Sequence, residues 1–219
     1  MSMKLVRRML TAVLATTLVV GSALTVSAAP TTKSSAPAAE APAPVQEDSA
    51  PVDETVVPAT TPMTIGGATI KSDVAGSIAI PKTAPIAGVV LRESAANIKA
   101  AASLAKNETP YVRAYEITAK KSPAAFASIN AAATAAGATV VDAVNIDLGK
   151  LAGGKFSDLP AGVSVPTTIG VKNANGRTLA VVKVLPGGAT EILQDTDDNP
   201  ATVTFPITGG FAAYAVIAF

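Results

Sequence analysis

Few side chains in this sequence could do chemistry, and what is missing narrows them further. The chain has no His and no Cys. Nucleophile systems built on Ser–His or Cys–His are therefore excluded, as are zinc sites that need either ligand. Carboxylates remain. Glu116, Asp142 and Asp147 form the set from which a paired-carboxylate hydrolase of wall glycan could be assembled, a chemistry that needs two acids facing one cleft. Asp142 is the oddity, because strict alternation puts it on the face of Val140 and Val144, where burial raises a carboxyl pKa. The competing expectation is a bulge or strand end where a backbone N–H or a cation satisfies it. Asp195, Asp197 and Asn199 have the alternating oxygen spacing that opens a calcium loop. The pattern then fails: Pro200 stands where such a loop needs Gly, and Pro206 where it needs a bidentate Glu. A solvated hairpin turn explains the same residues, since Asp and Asn accept turn conformations. Tyr111, Arg113 and Tyr115 alternate and so share one strand face, as the floor of a sugar platform would. Core packing is the plainer role, because such platforms lean on Trp and the chain has none. No catalytic residue is assigned and no cofactor is expected.

The elements that must position these residues follow from periodicity and punctuation. Met63 to Ile70, Gly76 to Ile80 and Ala87 to Leu91 read as short strands. Ser94 is the N-cap of a helix over Ala95 to Ala105, with Asn107 as its left-handed stop. Tyr111 to Thr118 is a strand. Ser122 followed by Pro123 opens a second helix that runs to Ala136 and ends at Gly137, with Phe126, Ile129 and Ala133 on its inner stripe. Thr139 to Leu148 is the longest strand, with Val140, Val144, Ile146 and Leu148 on one face. A Gly-rich loop from Gly149 to Pro160 leads into Val163-Ser164-Val165. Leu179 to Leu185 is a strand bounded by Asn175-Gly176 and by Pro186-Gly187-Gly188. Thr190 to Leu193 returns, Asp195 to Pro200 turns, and Thr202 to Phe205 alternates as a half-buried strand. Ile207 to Gly210 turns into the last strand. There Phe211, Ala213, Ala215, Ile217 and Phe219 share one face, and Ala212, Tyr214, Val216 and Ala218 share the other. Both faces are apolar, so this strand should be central and covered on both sides. The expected fold is mainly β within the α+β class: an antiparallel β-sandwich with two short helices.

Within this stretch, Val182-Lys183-Val184, Gly187-Gly188, Glu191-Ile192-Leu193, Thr204-Phe205 and Phe211-Ala212-Ala213-Tyr214-Ala215 form a recognisable series. Val163 to Phe219 thereby resembles the C-terminal β-sandwich module of secreted and cell-surface proteins of anaerobic Gram-positive, clostridial-type bacteria. The family usually carries Ser-Thr where this chain has Ala212-Ala213. The resemblance implies a structural or adhesive role and brings no catalytic residues.

The N-terminus reads as a signal peptide over residues 1–28. Lys4, Arg7 and Arg8 precede an apolar run from Leu10 to Val20, and Val26-Ser27-Ala28 sets cleavage before Ala29. An uncleaved anchor is the alternative, but Gly21 and Ser22 interrupt a run too short to span. With no Cys near the site, this is not a lipoprotein signal. Residues 29–62 interleave seven prolines with Ala, Ser, Thr and acidic residues, the composition of a disordered linker that acts as a spacer or a passive tail. Residues 63–219 form the β-rich domain, with its sandwich portion from about residue 138. The 17 basic and 16 acidic residues give +1, and losing the three signal cations leaves −2. Such a balance offers no electrostatic attraction to nucleic acid. Leu185-Pro186-Gly187-Gly188-Ala189 lacks the Thr, apolar anchor and basic tail of a wall-sorting signal and is expected as a turn. A terminal Phe is also found in outer-membrane barrels, which the two helices and the Pro-rich linker argue against. The expectation is a secreted, non-enzymatic module, extracellular or envelope-associated, with envelope polysaccharide or another surface protein as its partner and no membrane span once matured.

Overall fold

The structure, a computed structural model, describes residues 62–77, 84–160 and 162–219. The signal peptide over 1–28 and the linker over 29–62, Pro62 aside, lie outside the described residues, as do positions 78–80 of the strand expected at Gly76 to Ile80. Among the described residues, eleven strands and two helices follow in the order β1 (Met63–Ile65), β2 (Ala68–Ile70), β3 (Ile86–Leu91), α1 (Ala95–Ala101), β4 (Glu108–Glu116), α2 (Pro123–Ala135), β5 (Thr139–Ala152), β6 (Lys155–Asp158), β7 (Ser164–Val171), β8 (Leu179–Val184), β9 (Thr190–Gln194), β10 (Thr202–Thr208) and β11 (Gly210–Ala218). All these strands pair antiparallel. The larger sheet runs β4-β5-β11-β8-β9, with β6 pairing the far end of β5; the smaller runs β10-β7-β3. The expected mainly β sandwich with two short helices is the observed fold.

β11 shows why. A strand apolar on both faces can leave neither face nor edge in water. It is hydrogen-bonded to β5 on one side and β8 on the other. Ala212, Tyr214, Val216 and Ala218 face the core between the two sheets, where Tyr214 lies against Phe205 of β10 with ring centroids 5.4 Å apart. Ala213, Ala215 and Ile217 face a second core under α2, with Ile129 and Ala133. A third, small cluster sets Met63 of the β1–β2 hairpin on Ala87 and Val90 at the outer face of the smaller sheet.

Several boundaries differ from expectation. α1 stops at Ala101, not at Ala105, and Asn107 is not its stop. Ser103 takes the left-handed conformation instead (φ 51°), the Leu104 N–H reaches back to the Lys99 carbonyl, and Leu104 packs on the core. This is the Schellman arrangement with Ser where Gly is usual. α2 ends the same way with Gly137 (φ 71°), as expected. Ser122 precedes it without a capping bond from its side chain, and Ala125, not Phe126, is fully buried on the inner stripe. β4 begins at Glu108 and ends before Ile117. β10 runs through Ile207 and Thr208 instead of turning there; Pro206 is tolerated because β10 is an edge strand.

β5 departs from strict alternation. Asp142 opposes Val216, but the next pair joins Val140 to Ile217, so Val141 is the extra residue of a bulge. Val140 therefore joins the core under α2, while Val144, Ile146 and Leu148 line the core between the sheets. The expected shared face of Val140 and Val144 does not exist.

Candidate functional site

The bulge decides where the carboxylates go. Beyond it, Val144, Ile146 and Leu148 point inward, and Asn145 and Asp147 point to the outer face of the larger sheet. Glu116 opposes Val144 on β4 and so belongs to the inner face with Asp142. Asp147 is on the other side of the sheet, and the three acids do not share one cleft. Asp142 is where the competing expectation placed it, at a bulge with a backbone partner. Its Oδ1 accepts from the Ala143 N–H at 2.9 Å, and its Oδ2 is buried without a partner. Burial holds its pKa above the ordinary value against that hydrogen bond, and the charge of Glu116 adds to the rise.

The loop from Asp195 to Asn199 spends its oxygens on itself. Asp195 Oδ1 accepts from Asp197 N at 3.1 Å, Asp197 Oδ1 from Asn199 N at 2.8 Å, and Asn199 Oδ1 from Ala201 N at 3.0 Å. The hydroxyls of Thr202 and Thr204 donate to the Asp197 carboxylate, and Thr204 N donates to Asp195 at 2.9 Å. The side chains thus build three successive Asx turns. Burial raises the Asp195 pKa in spite of its backbone donors. Among the described residues no cluster of three or more His, Cys, Asp or Glu is arranged to hold a metal ion.

Tyr111, Arg113 and Tyr115 do share a face, as their spacing requires, and register shows what they meet. Three rows cross the outer face of the larger sheet: Tyr111–Gly149–Asp158, Arg113–Asp147–Phe211 and Tyr115–Asn145–Ala213. The core under α2 takes in Tyr115, Ile117, Ala143 and Ala215 but not the other two rows. Gly149 lets Phe156 fold back over this part of the sheet, because a Cβ there would stand 2.4 Å from both Phe156 Cζ and the Ser157 carbonyl oxygen. The Phe156 ring meets Tyr111 edge-on at 6.1 Å and carries the Arg113 guanidinium 3.8 Å from its centroid. Arg113 also donates to Asp147 Oδ2. Burial nonetheless pushes the Asp147 pKa up, outweighing Arg113, with the charge of Asp158 adding to it. Asp147 Oδ1 and, one row away, Asn145 Oδ1 are both buried and accept no hydrogen bond.

Sequence spacing brought together Tyr111, Arg113 and Tyr115, and named Asp147 for a different role. It missed Asn145, Phe156 and Phe211. Asn145 and Asp147 flanking Ile146 in an otherwise apolar run was the available signal. At the far end of the sandwich two clefts adjoin at Arg177. One, of about 430 Å³, is lined by Pro85, Val141, Lys172 and Asn173; the other, of about 200 Å³, is lined by Leu179, Asp195, Asp197 and Pro200. Lys172 donates to the Ala84 carbonyl at 2.8 Å. No protein-family model, no curated protein and no solved structure matches this chain.

Proposed function

We propose that this protein is a secreted, non-enzymatic module of the extracellular space or the cell envelope, structural or adhesive in role, that touches an envelope polymer or another surface protein. The observation that carries the reading is the part of the outer face that α2 leaves aside. There two aromatic rings, an Arg–Asp pair and the unsatisfied Asp147 Oδ1 are held on paired strands, with a second unsatisfied acceptor, Asn145 Oδ1, in the next row where the face meets the core under α2, a rigid contact surface with mixed polar and apolar character. Asp147 is separated from Glu116 and Asp142 by the sheet itself, so the three acids do not meet in one cleft. The signal-like residues 1–28 and the resemblance of Val163 to Phe219 to clostridial surface modules agree with an exported role.

The test is capture. The purified secreted chain is mixed with isolated envelopes of its own cells, and the bound fraction is compared with that of Tyr111→Ala plus Phe156→Ala. Mass spectrometry of the exported protein should find Ala29 at its start. Saturable capture that falls at least tenfold in the double variant, with cooperative melting retained, is expected. Equal capture of both chains, or turnover of envelope glycan by the wild type, overturns the reading.

A further inference from the structure

We infer that the outer face binds a neutral, hydroxyl-rich glycan, with Asn145 Oδ1 and Asp147 Oδ1 each accepting a hydrogen bond from the sugar; the inference rests on the reading of this face as the contact surface. A buried acceptor with nothing to accept from costs the fold free energy, and such groups in native proteins call for an explanation. Here two occur together. Asn145 and Asp147 are 5% and 6% exposed, lie two residues apart on one strand, and point to the same face. Two positions along a strand span roughly 6.6 Å, a reach that adjacent substituents of one sugar ring and its neighbour cover. Both atoms are oxygens, so the missing partners are donors.

The surroundings select among donors. A calcium ion needs six to eight oxygens, and the Arg113 guanidinium beside Asp147 opposes any cation there. An anionic ligand has Arg113 to attract it, but meets Asp147 and Asp158 on the same rows. One cation against two carboxylates gives no net pull on an anion, which leaves neutral O–H and amide N–H groups. Tyr111 and Phe156 supply apolar surface next to them, suited to the C–H face of a pyranose. Arg113, with 44% of its side chain exposed, is the group that shifts on the Phe156 ring to admit the ligand.

The mature secreted chain is titrated with cellotetraose, with the N-acetylglucosamine tetramer, with tetragalacturonate and with calcium, following backbone amide shifts. A neutral tetrasaccharide should give saturable shifts confined to β4, the middle of β5 and β6, insensitive to calcium removal. Asn145→Leu keeps the shape and deletes the orphan acceptor. It should weaken binding at least tenfold while the melting temperature stays level or rises, a combination that a purely structural Asn would not give. Tyr111→Ala should weaken binding comparably and serves if Asn145→Leu fails to fold. Binding unchanged in these variants, binding of tetragalacturonate alone, or calcium binding at this face overturns the inference. If neither neutral tetrasaccharide binds but envelope capture still depends on Tyr111 and Phe156, the glycan is wrong and the contact surface stands. If capture is also absent, both readings fall.

Discussion

Three carboxylates, Asp142, Asp147 and Asp195, have pKa values raised chiefly by burial. A raised pKa in the folded state means that the fold prefers the protonated acid. The favourable contribution is complete below the unfolded pKa of about 3.9 and is lost as pH rises through the folded value. Asp142 shows this most simply, since no cation opposes the effect. Asn in its place keeps an acceptor for the Ala143 N–H and removes the buried charge beside Glu116. Asp142→Asn should therefore raise the melting temperature at pH 7. The gain should shrink as pH falls through the carboxylate range and vanish near pH 3 to 4. A gain of equal size at low and neutral pH would mean that charge is not the cause. Ser103 offers a second measurement. An L-residue at φ 51° is strained where Gly is not. Ser103→Gly should stabilise the protein by roughly 0.5–1 kcal/mol, read from denaturant midpoints at constant slope.

At the scale of elements, β11 was legible and β5 was not, for one physical reason. The side-chain period of a strand is two, so a regular strand announces both faces, and the alternation of Ala213, Ala215 and Ile217 with Ala212, Tyr214 and Val216 survived into the structure. A bulge adds one residue without any special composition. Val140 through Val144 looked continuous while the chain changed face at Val141. The α1 stop was hidden likewise, because Ser at a left-handed position carries no marker that Gly or Asn would. The site was half legible. β4 showed its exposed alternation, but Phe156 reaches the face only because the chain turns back at Gly153–Gly154 and Gly149 leaves room for the ring, a hairpin that the Gly-rich stretch disguised as a loop. The prediction for β11 follows from its position. Ile217 is fully buried between Val140 of β5 and Ala180 of β8, so Ile217→Ala should cost roughly 2–5 kcal/mol. A loss below 1 kcal/mol in equilibrium unfolding would contradict its central placement.

For the whole molecule, chain order and sheet order are thoroughly interleaved. β3, from before residue 137, pairs with β7; β4 pairs with β5; and α1 contributes Ile98 to the same core as Phe205. No cut near residue 138 separates two independent cores, so residues 63–219 should unfold in one transition, with far-ultraviolet and tyrosine signals coincident. Two resolved midpoints would show that the halves are separable after all. The placement of β11 also dictates an order of events. β5 and β8 both precede it in the chain, yet neither pairs with the other; each pairs with β11. Until that strand arrives, the larger sheet is two pieces with a gap one strand wide, walled by apolar side chains and lined by unpaired backbone on both sides. The gap is specific for the sequence of β11 but indifferent to which copy supplies it. At high concentration a refolding molecule can take up its neighbour's last strand in place of its own, and strand-exchanged dimers, locked by the same register that locks the monomer, are the by-product this topology favours.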